Sequence, residues 1–309
     1  MSKNSFNILF LGGSKRLILG KKFYIEAKKK YAMVNLFSYE LPGNHAFEKI
    51  GKIIYGKKWT DKNLLTHLQS IIKKNKINLI IPCVDESILI ANKLNDLKNT
   101  MLSIISKRNI NKIFANKILA DEYVNSKGFR TIPQSKTSFP IYIKPIKGSA
   151  AKDNHYIKNH NDLSFFSKNN KSSKYIFQKY IKGSEYSIDI YVDRHGLFIG
   201  AIPRIRLNVV SGESIATKSI YSEKLISYAK SFCNAIPLIG ALTLQVIIHE
   251  NNIYFLELNP RIGGGVGCAI KSGLNIPKYL ISDARNIPLK PIKNFRECRM
   301  IKYYEEVFI

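Results

Sequence analysis

Ile253-Tyr254-Phe255-Leu256-Glu257-Leu258-Asn259-Pro260-Arg261, preceded by the apolar run Leu242–His249 and followed by Gly263-Gly264-Gly265, decides how this chain is read. The two runs are predicted to be hairpin strands. Side chains alternate along a strand, so Glu257 and Asn259 share a face, with Phe255 before them on it. A carboxylate and an amide at a strand end offer the hard oxygen donors that magnesium takes. Gln245 joins them only in one register. A two-residue turn at Asn251-Asn252 sets it opposite Leu258, whereas a three-residue loop of Glu250, Asn251 and Asn252 sets it opposite Glu257. The longer loop is expected, since asparagine tolerates the left-handed conformation such loops need. Arg261 suits phosphate oxygens or a carboxylate, which a guanidinium grips in pairs. The glycines let backbone approach a ligand, with Gly264 as a candidate substrate contact. Glu257 alone would read as an ordinary edge-strand acid; with Asn259, Arg261 and the glycines it reads as a site.

Working outward, the chain opens with a buried strand, residues 6–12, that runs into Gly12-Gly13 and a helical stretch from Arg16 to Tyr31. The opening resembles a Rossmann start, yet neither the three-glycine dinucleotide spacing nor a Walker A loop is present. Asp61 is a candidate cap for a helix carrying Leu64, Leu65, Leu68, Ile71 and Ile72, and the strand Ile77–Val84 follows. This alternation predicts a parallel α/β unit over roughly the first 105 residues, with ligands beyond the carboxyl ends of its strands. Asp85 and Glu86 fall there as candidate substrate contacts; Asp85 serves equally well as a helix cap. A helix from about Asn109 to Lys127 comes next, and strand pairs dominate afterwards, at Ser187–Ile202 and Ala241–Leu258. A domain boundary is expected near residue 108.

The chain has 309 residues and 45% hydrophobic content, enough for two or three cored units. No apolar run reaches the ~18 residues of a membrane span. Its four cysteines lie far apart without Cys-x-x-Cys spacing, which argues against a zinc site or a disulfide framework and for a reducing cytoplasm. The formal charge of +27 invites a nucleic-acid reading. The lysines are scattered among isoleucine and asparagine, with no RNA-recognition signature, zinc finger or basic heptad helix, so a nucleic-acid partner is not expected. The charge would instead draw in anionic small molecules.

Glu257-Leu258-Asn259-Pro260-Arg261 with an upstream glutamine resembles the metal-binding strand pair of ATP-grasp enzymes, in particular the branch related to the carbamoyl phosphate synthase large chain. The resemblance extends through most of residues 109–309. It implies an α/β fold (α+β in the grasp part): a Rossmann-like pre-ATP-grasp domain over 1–108, then a two-lobed ATP-grasp domain over 109–309, with a small lobe of about 109–177 and a large lobe of about 178–309. It implies ATP and two magnesium ions as cofactors, with manganese able to replace them. Glu257 would bridge the ions, and Asn259 and Gln245 would each hold one. Arg261 and Lys144, in Ile143-Lys144-Pro145, would act on the transferring phosphoryl group. Lys117 would be the first phosphate-contacting lysine. Lys147, Gly148 and Ser149 resemble the glycine-rich lid, although alanine stands at 150 where the family has a second glycine. Gln178-Lys179-Tyr180-Ile181-Lys182-Gly183-Ser184-Glu185 resembles the inter-lobe hinge. There the backbone of Lys179 and Ile181 would meet the adenine edge and Glu185 the ribose, with Leu256 as an apolar wall.

Arg204 and Arg206 alternate on one strand and form a candidate anion site, Arg204 assigned to the phosphate and Arg206 to the substrate; a solvated basic edge is the alternative. No Ser/His/Asp or Cys/His set is needed if the chemistry is ATP-driven activation of a carboxylate followed by attack of an amine. The expected partners are therefore a small-molecule carboxylate and an amine, and a homodimer is compatible with this. Two other readings stay open: a phosphotransferase without amide formation, and a basic binding protein on an inactive scaffold.

Overall fold

The computed structural model describes residues 4–98, 101–148, 153–210, 212–303 and 305–309. The chain begins with a parallel sheet of β1 (Ser5–Leu11), β2 (Met33–Glu40), β3 (Lys52–Tyr55) and β4 (Leu79–Pro82), in the order β3-β2-β1-β4. Helices α1 (Leu17–Lys28), α2 (Leu64–Lys74) and α3 (Asp85–Lys98) cover it. β1 and β4 are almost wholly apolar because both sheet faces are covered, as parallel sheets require. Their carboxyl ends deliver Gly12-Gly13 and Asp85 to one edge of the unit.

The expected single helix over 109–127 is two: α4 (Arg108–Phe114) and α5 (Lys117–Ser126). Asn116 breaks it. Its backbone is extended and its side chain accepts from the N–H groups of Ile118 and Leu119, so the helix restarts there with Lys117 at its first position.

A small antiparallel sheet, β6-β5-β7, follows, made of β5 (Ile141–Pro145), β6 (His155–Ile157) and β7 (Tyr175–Lys179), with α6 (His160–Asn169) on it. The large sheet has the order β12-β11-β8-β9-β10-β13. Its strands are β8 (Ser184–Val192), β9 (Phe198–Val210), β10 (Glu213–Ser219), β11 (Gly240–His249), β12 (Asn252–Asn259) and β13 (Arg299–Ile301), and α7 (Glu223–Ala235), α8 (Val266–Ser272) and α9 (Ile276–Asp283) accompany them.

The two faces of this sheet differ. One packs Ile188, Ile190, Leu242, Leu244, Val246, Phe255 and Leu258 against α4, α5 and α7. Packing thus attaches α4 and α5 to the large sheet, whereas the small sheet has its own core of Ile141, Ile143, Ile157, Phe166 and Phe177. The expected small lobe of about 109–177 therefore begins too early as a packing unit. The opposite face is apolar at one end, where Tyr191, Ile202 and Ala241 share a core with β1, α1, α8 and α9. Its other end is polar.

Candidate active site

The β11–β12 hairpin reaches the expected pairing by another route. His249 pairs with Asn252, so the loop is the two-residue turn Glu250-Asn251, both residues at positive φ (45° and 64°) as a primed turn demands. That turn alone would set Gln245 opposite Leu256. A β-bulge intervenes: Val246 pairs with Phe255 but Gln245 with Glu257, leaving Leu256 as the extra residue. The bulge also corrects the placement of Phe255. It turns onto the core face, where its ring stacks with Phe232 at 5.8 Å, while Glu257 stays on the polar face.

Asn259 Nδ2 donates to Glu257 Oε1 at 2.7 Å, and Arg261 Nη2 donates to Asn259 Oδ1 at 3.3 Å. Arg261 Nε reaches Asp85 Oδ1 at 2.5 Å, so the first turn of α3 is drawn to the strand end. Glu86 beside it is exposed. Among the described residues no group of three His, Cys, Asp or Glu side chains could hold a metal ion. The donors gathered here are one carboxylate, Glu257, and two amides, Gln245 and Asn259. An all-oxygen set of low charge fits a hard cation that keeps its other ligands from water or phosphate, the habit of magnesium.

Register carries the polar face across the sheet. Gln245 pairs with Ser187 and Ser187 with Arg204, while Thr243 pairs with Asn259 and Asp189. Arg204, expected to meet phosphate, is 2% exposed and committed: Nε donates to Asp189 Oδ2 at 2.6 Å and Nη1 to Thr217 Oγ1 at 3.2 Å. Thr243 Oγ1 donates to the other oxygen of Asp189 at 3.0 Å. The expectation of a ligand-facing guanidinium at 204 is corrected by this burial. The glycines answer to the same network. A Cβ on Gly263 would collide with Thr243, one on Gly264 with Glu213, and one on Gly265 with Arg204. Their lack of side chains lets the turn lie on the protein's own polar groups, a different reason from the ligand approach expected at Gly264. Arg206 also has protein partners: Glu185, the hydroxyl of Ser214 and the carbonyl of Gly212. The expected ribose acid and the expected substrate arginine thus hold each other.

From the small sheet, Lys144 enters at the end of β5 with no ion pair or hydrogen bond among the described residues. Burial pulls its amine below the usual range, against the opposing pull of Glu257, Asp121 and, further off, Glu185. Those influences locate it between β12 and α5. Lys117 Nζ donates to the carbonyl of Gly148 at 2.8 Å, tying α5 to the loop after β5. Gly148 holds φ at 114°, where only glycine is unstrained. Lys147 is exposed, and Ser149 lies outside the described residues. In the hinge, Gln178 is 3% exposed and its Nε2 donates to Asp121 Oδ2 at 2.8 Å. The N–H of Lys179 is taken by Pro133 O at 2.9 Å, and Ile181 and Leu256 are half-buried. Burial raises the Asp121 carboxyl to about 6, although Lys144 and the Gln178 amide pull it down.

Asp121 was missed in the sequence, as was the Asp189–Thr243 pair. A signal for Asp121 existed: it lies four residues after Lys117, on the same helix face. The long-range contact from Arg16 Nη1 to Gly263 O, at 3.4 Å, had none.

A family model described as "ATP-grasp in the biosynthetic pathway with Ter operon" matches residues 171–306. The carbamoyl phosphate synthase large chain of Clostridium botulinum is 28% identical over 138 residues, 41% of this chain and 13% of that one. The chain thus spans about an eighth of the length of that relative. N5-carboxyaminoimidazole synthetase from Staphylococcus aureus, solved with ADP, superimposes with a TM-score of 0.76 at 18% identity, covering 98% of this chain and 84% of that one. The biotin carboxylase domain of Hydrogenobacter thermophilus 2-oxoglutarate carboxylase, solved with MgADP and bicarbonate, gives 0.74 at 15% identity over 95% and 74%. The chain has the fold of the ATP-grasp structures it superimposes on, with a parallel α/β unit ahead of the part that matches the family model. No helix among its described residues is long and apolar enough to cross a membrane.

Proposed function

We propose that this protein is an ATP- and magnesium-dependent carboxylate–amine ligase that works through an acyl phosphate on a small metabolite, amino acid or sugar. The observation that carries the reading is the convergence of Glu257, Asn259, Gln245 and Arg261 with the uncommitted cation Lys144 in one space. ADP and MgADP bound to proteins of the same fold support the nucleotide and the metal.

In this reading Glu257, Asn259 and Gln245 would hold two magnesium ions, which would supply charge neutralisation and alignment of the triphosphate. Lys117, Lys144, Lys147 and the backbone of Gly148 and Ser149 bind phosphate oxygens, and Gln178, Lys179, Ile181, Glu185 and Leu256 receive the nucleoside. Lys144 and Arg261 neutralise charge as a substrate carboxylate oxygen attacks the γ-phosphorus. An amine then displaces phosphate from the acyl phosphate, so no protein nucleophile is needed. Asp85, Glu86 and Arg206 border the substrate. Arg204 acts through Asp189 by fixing the turn that follows Arg261.

The test is ADP release with magnesium across a pool of carboxylates and amines, beside Glu257→Ala. Release that requires both substrate types and disappears in the variant is the expected result. Release with a carboxylate alone would favour a phosphotransferase, and absence of both release and MgATP binding would overturn the reading.

A further inference from the structure

We propose that Cys268 and Cys298 form a thiol pair that is oxidised to an intramolecular disulfide, with Cys298 as the attacking sulfur. The pair lies outside the site described above and does not rest on the ligase reading.

The two Sγ atoms are 3.2 Å apart although the residues are separated by 30 positions. That gap is close enough for local rotation to reach the ~2.05 Å of an S–S bond. The backbone is already locked around them. Cys298 N–H donates to Ser219 Oγ at 2.8 Å, Ser219 Oγ and Ser272 Oγ are 2.7 Å apart, and each thiol lies within hydrogen-bonding reach of the other residue's carbonyl, at 3.4 and 3.3 Å.

The chemistry is asymmetric. Burial raises the Cys298 thiol, but hydrogen bonds with Ser272, Cys268 and Ser219 and the charge of Lys271 outweigh it and leave the thiol below its usual value. Cys268 is fully buried, and burial together with its neighbour pushes its thiol up to about 12. The more acidic, half-buried sulfur is therefore the one to meet an oxidant. Cys83 and Cys233 are buried singly, with thiols at about 12, and have no such partner.

With a small-molecule disulfide as oxidant, the Cys298 thiolate attacks one of its sulfurs and releases the first small thiol. Cys268 then gives up its proton and attacks Cys298 Sγ, releasing the second. Two protein thiols are oxidised and one small disulfide is reduced to two thiols. The product would tie helix α8, which follows the Arg261–Gly265 turn, to the residue that enters edge strand β13.

The experiment incubates the native, reduced full chain with glutathione disulfide and counts thiols after denaturation. The count should fall from four to two, a non-reducing peptide map should join the segments holding Cys268 and Cys298, and dithiothreitol should restore four. Cys268→Ser should retain a stable glutathione adduct on Cys298, and Cys298→Ser should keep its three remaining thiols. Four surviving thiols in the native wild type, loss of Cys83 or Cys233 instead, or equal thiol loss in Cys298→Ser would overturn the proposal. If either variant fails to fold, the wild-type map still decides it by the presence or absence of the linked peptide.

Discussion

Arg204 Nε lies 2.6 Å from Asp189 Oδ2, both side chains enclosed by protein, and Gly265 rests directly on the guanidinium. Removing one partner leaves the other charge buried and alone. Asp189→Asn or Arg204→Met should therefore destabilise the fold by about 3–5 kcal/mol, read from urea unfolding. Gly265→Ala, whose methyl would meet the guanidinium, should lose about 1–3 kcal/mol. If Arg204→Met unfolds at the wild-type urea concentration, the arginine is not structural and its assignment to phosphate returns.

The Asp121 carboxyl sits at about 6 against an unperturbed 3.8. A raised carboxyl value means that the native state holds the proton more tightly than the unfolded chain does. Stability from this source is complete below pH 4 and is lost as pH rises through 6. At about 1.4 kcal/mol per unit, the swing is on the order of 2–3 kcal/mol. Asp283, raised by burial to the same region, adds a parallel slope. Urea titrations between pH 4 and 7 should show Asp121→Asn and Asp283→Asn each removing part of the decline. Wild-type slopes in both variants would contradict the assignment.

Glu257 is the only carboxylate among the three candidate metal donors, so Glu257→Gln should reduce magnesium-dependent ADP release by about 100-fold or more while leaving the fold intact. Lys144→Met should lose activity by a similar order, because its buried amine is the cation that feels the Glu257 carboxylate from the end of β5. Calorimetry with MgADP separates lost binding from lost chemistry. Normal turnover in both variants would move the site elsewhere.

Glu250 occupies the first central position of the β11–β12 turn at φ 45°, a conformation that costs a residue other than glycine, asparagine or aspartate about 1–2 kcal/mol. Glu250→Asn with Asn251→Gly should thus raise stability by about 1 kcal/mol, seen as a higher urea midpoint. Because the bulge at Leu256 sets the register of Gln245, ADP release should be unchanged. A fall in stability would show that Glu250 has a role beyond the turn.

The residues of Glu257-Leu258-Asn259-Pro260-Arg261 made the fold class legible through their resemblance to ATP-grasp enzymes, whereas alternation by itself placed only Glu257 and Asn259 together on one face of the strand. The opening α/β unit was legible for the same reason: buried strands and amphipathic helices carry their own periods. Lys117, Lys144 and the hinge from Gln178 to Glu185 could be marked by motif. What each side chain does there depends on partners far away in the chain.

The tertiary structure decided those partners. The pairing of Gln245 with Glu257 depends on a bulge at Leu256 that no loop-length argument contains, and the same bulge sends Phe255 to the core. Arg204 reads as a ligand residue until Asp189 and Thr217 enclose it, and three glycines read as a ligand loop until Thr243, Glu213 and Arg204 are found beneath them. Local periodicity tells which face a residue takes; burial and charge pairing are properties of the space between strands, and that space exists only once the sheets have closed.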